Sequence, residues 1–216
     1  MNETTIQAIV EDIVTELTQT PSSRNEIPIS VSARHCHLSR EDVEVLFGKG
    51  VELTKKSDLS QPGQFAANET VTLIGPRGSI ESVRILGPLR SRSQVEISKT
   101  DGIKLGVTPP LRESGDIKGS APITLLGPKG SLYLEEGLIV AQAHIHMSPD
   151  DAKSLGVTNG EYVKVKVGKD RPITFDKVLV RVSPNYILDM HVDTDEANSG
   201  FITTGERGTL CKVEKG

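Results

Sequence analysis

Four short segments of this 216-residue chain share one pattern, and the pattern dictates a local fold. His37-Leu38-Ser39-Arg40-Glu41-Asp42, Glu96-Ile97-Ser98-Lys99-Thr100-Asp101, His146-Met147-Ser148-Pro149-Asp150-Asp151 and His191-Val192-Asp193-Thr194-Asp195-Glu196 each begin with a metal-capable side chain. An apolar residue follows, then Ser or Asp, then an acid three positions on. A Ser or Asp at an N-cap accepts from the N3 backbone N–H while an N3 acid reaches back, so each segment reads as a capping box. Pro149 stands at the favoured first helical position. Leu46, Leu105 and Leu155 follow the leading residue by nine positions in three copies, with a glycine one or two residues beyond to stop the helix. One strand-to-short-helix unit is therefore expected four times, each presenting its leading side chain where the strand ends.

All five histidines belong to this pattern: His35, His37, His144, His146 and His191. Residues i and i+2 of a strand project from one face, so each His-x-His pair aims two imidazoles at one place. Neutral imidazole is the commonest ligand of zinc, and three protein ligands with an open position mark a catalytic site. With Glu96 the candidates number six, His35, His37, Glu96, His144, His146 and His191, which is two sets of three. Cys36 lies between two candidates, so alternation turns it to the opposite face as a small buried residue.

Twenty glycines, twelve prolines and many short Val/Ile/Leu runs indicate a mainly β chain with frequent turns. Its core must be aliphatic, because there is no Trp and only four Phe and three Tyr. Thr72-Leu73-Ile74-Gly75-Pro76-Arg77-Gly78-Ser79-Ile80 is echoed by Thr124-Leu125-Leu126-Gly127-Pro128-Lys129-Gly130-Ser131-Leu132, two hairpins with the same turn chemistry. The 47–68 stretch, with Gln61-Pro62-Gly63-Gln64, has weak periodicity and reads as a long functional loop. Two cysteines, Cys36 and Cys211, make no disulfide framework, and no signal peptide or long apolar span is visible; a reducing cytosol is expected. A net charge of −4 and few aromatics argue against nucleic acid as a partner.

Residues 3 to 18 place Ile6, Ile9, Val10, Ile13, Val14 and Leu17 on one stripe of an amphipathic helix, and residues 18–25 read as a tether. No Lys or Arg precedes Arg24, which speaks against a transit peptide or a membrane anchor. So short a helix is marginal alone, and its stripe is expected to dock either on its own domain or on a partner protein. Between Arg77 and Lys104 the charge reverses, with Arg77, Arg84, Arg90, Arg92, Lys99 and Lys104 against three acids. A cationic cluster beside two dications calls for an anionic ligand, and phosphate or a phosphorylated cofactor fits.

Arg34-His35-Cys36-His37-Leu38-Ser39, Gln61-Pro62-Gly63-Gln64, Gly87-Pro88-Leu89-Arg90-Ser91, Ser93-Gln94-Val95-Glu96-Ile97-Ser98, Ala143-His144-Ile145-His146-Met147-Ser148-Pro149 and His191-Val192-Asp193-Thr194-Asp195-Glu196-Ala197-Asn198 appear in this order. Together they resemble the PduL-type phosphate acyltransferases (phosphate propanoyltransferases) over about residues 26–203. One departure is His-Cys-His where His-Ile-His is the family's form. The resemblance implies two interleaved six-stranded β-barrels with short capping α-helices, plus the N-terminal amphipathic helix. Residues 26–33 with 142–212 would form one barrel and 34–141 the other, with 1–20 an encapsulation peptide. It implies two Zn2+ ions, one on His35, His37 and Glu96 and the other on His144, His146 and His191. Arg90 would bind phosphate and act in catalysis with Ser32. Val31, Ser32, Ala33, Arg77, Arg84 and Asn198 would contact CoA. The implied reaction converts acyl-CoA, propanoyl-CoA above all, and phosphate to acyl phosphate and CoA. The implied setting is the bacterial cytoplasm within a microcompartment, with shell or cargo proteins and further copies of the chain, a homo-oligomer, as partners.

Other readings compete. An acetyl-CoA-preferring phosphotransacetylase, a zinc-dependent acyl-CoA thioesterase and a non-catalytic shell-associated metal protein share the same ligands. A cupin metalloenzyme is disfavoured, because Ile29 stands where its leading glycine belongs and its second motif is missing.

Overall fold

The computed structural model describes residues 25–168 and 170–211. The helix expected over residues 3–18 and its tether up to residue 24 lie outside them. Strands are numbered here in chain order. Six of them, β1 (Glu26–Val31), β10 (His144–Met147), β11 (Tyr162–Val167), β12 (Ile173–Val182), β13 (Asp189–Val192) and β14 (Arg207–Cys211), close a barrel in the order β1-β13-β10-β12-β11-β14. The ring β4-β5-β2-β6-β9-β8 closes a second barrel through the β8–β4 pairing. Its strands are β2 (His35–His37), β4 (Phe65–Ile74), β5 (Ser79–Gly87), β6 (Gln94–Glu96), β8 (Ala121–Leu126) and β9 (Ser131–Ala141). Two short strands extend it: β3 (Lys55–Asp58) on β4 and β7 (Leu111–Arg112) on β9. The barrels interleave because β1 pairs parallel with β13 and antiparallel with β14 before the chain enters the second barrel. Closure leaves no free edge on either ring, which suits a chain with few bulky aromatics to cover one.

Alternation along the strands fills two separate aliphatic cores. Ile27, Ile29, Ile145, Val163, Val165, Val180 and Met190 pack in the first barrel, and Cys36, Val71, Ile85, Val95, Ile123, Leu125 and Leu138 in the second. The residue between each histidine pair, Ile145 or Cys36, is fully buried in its barrel core. That alternation is what turns the flanking histidines outward, toward the space between the barrels. Substituting Cys for Ile at residue 36 leaves this geometry intact.

Four short helices, α1 (Arg40–Phe47), α2 (Lys99–Leu105), α3 (Pro149–Leu155) and α4 (Thr194–Ser199), begin where the pattern places them. Ser39, Ser98, Ser148 and Asp193 are the N-caps and accept from the N–H of Asp42, Asp101, Asp151 and Glu196. The reciprocal half of the box forms only at α3 and α4. At α1 the Ser93 hydroxyl takes the Ser39 N–H at 2.9 Å and donates to Asp42. At α2 Asp101 instead accepts from Arg34 at 2.8 Å. Tertiary partners thus outbid the local ones in the second barrel. The two repeated hairpin turns find a shared purpose. A Cβ at Gly75 would come within 2.3 Å of the Leu105 carbonyl, and one at Gly127 within 2.4 Å of the Leu46 carbonyl. Each turn therefore sits on the last turn of a helix, and Arg77 and Lys129 donate their backbone N–H to those carbonyls at 3.0 Å.

The 47–68 stretch is not the single long loop expected: it contains β3 and the start of β4. Its weak periodicity reflects a strand exposed on all four residues, Lys55–Asp58, which leaves no apolar alternation to read. Contacts between the barrels come from this region and from the helices. The buried Gln61 amide clamps the Ile187 backbone, donating to its carbonyl at 2.9 Å and accepting from its N–H at 3.2 Å. Thr100 N–H, at the start of α2, donates to Asp195 of α4 at 2.8 Å. Among the described residues no helix is long and apolar enough to cross a membrane.

Candidate active site

The two halves of the site are built by the same strand pairing. In β2 and β6 His35 lies directly opposite Glu96, and in β10 and β13 His144 lies directly opposite His191. Each His-x-His strand thus runs antiparallel to a strand whose third ligand faces its first histidine. The donor atoms of His35, His37 and Glu96 lie within 4.8 Å of one another, and so do those of His144, His146 and His191. Ring centroids are 5.1 Å apart for His35 and His37, and 4.7 to 5.2 Å within the second triad. Both triads line one cavity of about 460 Å³, together with Ser30, Val31, Ser32, Arg84, Arg90 and Arg181.

The donor sets fit a divalent cation in detail. His35 and His144 donate Nδ1–H to the carbonyls of Ala33 and Gln142, at 2.9 and 2.8 Å, which leaves Nε2 with a free lone pair. His37 and His146 each bury an Nδ1 that has no hydrogen-bond partner among the described residues. Such orphans are costly unless a ligand satisfies them. Glu96 uses one oxygen, Oε1, to accept from Ser114 at 2.6 Å and from the Gln94 amide. Its other oxygen stands 3.5 Å from His35 Nε2. Two donors on one tetrahedral zinc at about 2.0–2.1 Å are about 3.3 Å apart, so this pair already has nearly the spacing one ion requires. Imidazole with carboxylate or imidazole alone suits zinc among the divalent ions.

Electrostatics prepare the ligands. Burial drives the imidazole pKa down to about 3 at His37, about 4 at His144 and about 2 at His146, so all three are neutral at pH 7. Burial opposes ionisation of Glu96, yet His35, His37 and the Ser114 hydroxyl outweigh it and bring its pKa down to about 2. A pH dependence follows for the metal-free protein. Unfolded, the rings take protons near their ordinary value of 6.5. Folded, they resist until far lower pH, so between these limits the unfolded chain holds more protons and stability falls as pH drops. Glu96 acts in the same direction from its ordinary 4.5 down to about 2. Urea midpoints should fall between pH 7.5 and 5.5 by an amount worth roughly 1 kcal/mol per ring. A flat midpoint would contradict this.

Not every residue implicated by the sequence reaches the cavity. Val31, Ser32 and Arg84 line it, and Ala33 serves it through the carbonyl that holds His35 and lies 3.4 Å from the Arg84 guanidinium. Arg77 sits in the β4–β5 turn against Gly106, and Asn198 is exposed on α4; neither lines the cavity. Arg90 lines both this cavity and an adjoining one of about 330 Å³, which adds Pro62, Pro88 and Asn185.

Comparison with known proteins decides the family. The family model described as phosphate propanoyltransferase matches residues 28–203. The chain belongs to the phosphate propanoyltransferase family. Curated phosphate propanoyltransferases are similar along its whole length. That of Priestia megaterium is 64% identical over 215 residues, covering 100% of this chain and 99% of the relative. That of Lachnoclostridium phytofermentans is 54% identical over 213 residues, covering 97% and 100%. That of Thermotoga maritima is 55% identical over 181 residues, covering 83% and 86%. Family membership makes the chain an acyltransferase.

Several site residues escaped the sequence reading. Ser114 and Gln94 hold Glu96, and Ser60, from the β3–β4 connection, lies 3.4 Å from His191 Nε2. Arg181 is in register with His146 across β10 and β12. The Tyr186 ring lies 4.2 Å from that of His146. Asp189 is 3% exposed and holds His191 at 3.1 Å. Asp189 and Gln94 left a trace in the sequence: each stands two residues before a triad member, His191 or Glu96, and so on the same strand face.

Proposed function

We propose that the chain interconverts acyl-CoA plus phosphate with acyl phosphate plus CoA at a pair of zinc ions, with propanoyl-CoA as the preferred acyl donor. One observation carries this reading: two equivalently built ligand triads open on a single cavity that also holds Arg90. When bound, the two cations supply Lewis acidity to the thioester and to phosphate. The chain's own residues do the rest. Arg90, half-buried and lining both cavities, binds phosphate through its planar fork and orients one oxygen toward the acyl carbon. A C–O bond forms as the C–S bond breaks, and the sulfur leaves as the thiolate of CoA. The Ser32 hydroxyl, at the rim of the cavity, donates to the carbonyl oxygen as charge develops on it. Val31, Ser32, Ala33 and Arg84 form the CoA approach, with Arg77 and Asn198 reaching only its outer, phosphate-bearing portion. Tyr186 beside His146 helps exclude water from the acyl carbon. No acyl-enzyme is needed. Cys36 is fully buried and its thiol is pushed up by that burial, which leaves it inert as a nucleophile.

The deciding experiment is a panel of acyl-CoA substrates assayed for CoA release with and without phosphate. Release that needs phosphate and peaks at propanoyl-CoA is expected. Phosphate-independent release would establish a thioesterase, and a peak at acetyl-CoA would place the chain with the acetyl-preferring members.

The residues 3–18 stripe, followed by its tether, supports a second part of the reading: the segment directs the enzyme into a bacterial microcompartment by docking on a shell or cargo protein. Deleting residues 1–20 should leave kcat within about twofold, since every candidate site residue lies at or beyond Val31 in the sequence. It should also release the enzyme from shell particles on sedimentation. Unchanged co-sedimentation would refute the docking.

A further inference from the structure

Each histidine that opens a triad is oriented from two residues upstream, just before its strand begins, at Ala33 for His35 and at Gln142 for His144. In both cases a neutral backbone carbonyl takes the Nδ1 proton. His191 breaks this rule. Its partner two residues upstream is the Asp189 side chain, and the nitrogen engaged is Nε2, at 3.1 Å from Oδ2. Asp189 is 3% exposed, and its other oxygen is buried with no hydrogen-bond partner among the described residues. A carboxylate in that position must be compensated by something nearby. It lies directly opposite His146 in the β10–β13 register, yet it is outside the group of converging donors formed by His144, His146 and His191. Ser60, brought in from the other barrel, lies 3.4 Å from the same Nε2.

We infer that Asp189 is the positioning residue of the three-histidine site. It accepts the Nε2 proton of His191, which fixes the tautomer with Nδ1 as the free donor, and its charge makes that imidazole a stronger ligand. A cation on the triad would add to the compensation that His191, Ser60 and Ser30 give the buried carboxylate. The two metal sites thereby differ in kind. The His35 triad carries its negative charge on a ligand, Glu96, whereas the His144 triad carries it on Asp189, hydrogen-bonded behind a ligand. This rests on the two-cation reading proposed above.

The test uses the full-length protein loaded with zinc, the variants Asp189→Asn and Asp189→Ala, and a colorimetric zinc chelator. Wild type is expected to release two zinc ions. In Asp189→Ala one of the two should be lost about 10–100-fold more readily, with the other unchanged. Asp189→Asn, which still accepts the Nε2 proton but lacks the charge, should fall between. Cobalt(II) substitution should show altered visible bands for one ion only, and the unfolding midpoint of the metal-free Asn variant should be at or above that of wild type, because the neutral amide removes a buried charge. Wild-type affinity for both ions in both variants, with an unchanged cobalt spectrum, would overturn the inference and leave the two-cation reading standing. Loss of both ions together with a lowered metal-free midpoint would also overturn it, as a structural role. A wild-type protein that binds no zinc would overturn the two-cation reading and this inference with it.

Discussion

Arg90→Ala is expected to lower kcat/KM by about 10²–10³-fold while leaving both zinc ions bound. The residue follows β5 and the cis Gly87-Pro88 bond, and its backbone N–H donates to the Leu38 carbonyl at 2.9 Å. That contact ties it to the segment joining β2 to α1, so its guanidinium is held beside the His35 triad and not left on a free loop. Burial lowers its pKa, Glu96 raises it and Arg181 lowers it, yet it remains cationic at any working pH. Among the described residues it forms no ion pair, so its charge is available to a substrate anion. Arg90→Lys keeps the charge but loses the two-pronged geometry, and it should recover only part of the activity, mainly as a raised KM for phosphate. Steady-state kinetics with varied phosphate, alongside zinc content, check both variants. Retained phosphate-dependent turnover in Arg90→Ala would refute its role.

Removing a ligand should do more. His144→Ala deletes the residue that faces His191 across β10 and β13 and leaves His146 and His191 as a two-donor remnant. One zinc should be lost, the His35 triad should keep its own, and activity should fall by about 10²–10⁴-fold. That range corresponds to about 3–5 kcal/mol at roughly 1.36 kcal/mol per tenfold, the several kcal/mol that a Lewis acid contributes. The mirror variant His35→Ala should lose the other ion. Two variants that each lose a different single zinc and share one kinetic defect would tie both sites to one reaction. Full activity in either would break that link.

What could be read in advance was whatever is local in the chain. The helix starts were legible because Ser39, Ser98, Ser148 and Asp193 cap within three residues of themselves, and the histidine pairs because strand alternation is a two-residue rule. Glu96 was found only through its place in the repeat, and its position opposite His35 gives that place a structural meaning. The missing parts depend on register and on contacts between barrels. Ser114 lies outside any strand and touches Glu96 only because β6 and the segment after β7 converge. Ser60 and Gln61 belong to a stretch whose exposed strand carries no pattern, and they reach His191 and Ile187 from the other barrel. Arg181 earns its place from pairing with His146, which no one-dimensional motif encodes. The two repeated hairpin turns were visible, but their seats on Leu46 and Leu105 were not.

Four strand ends from two barrels are proposed to hold a pair of divalent cations over one cavity. Crystals of zinc-replete protein, measured on both sides of the zinc absorption edge, test it most directly. Two anomalous peaks are predicted, one among His35, His37 and Glu96 and one among His144, His146 and His191. No peak at either triad, or density only at surface carboxylates, would contradict it.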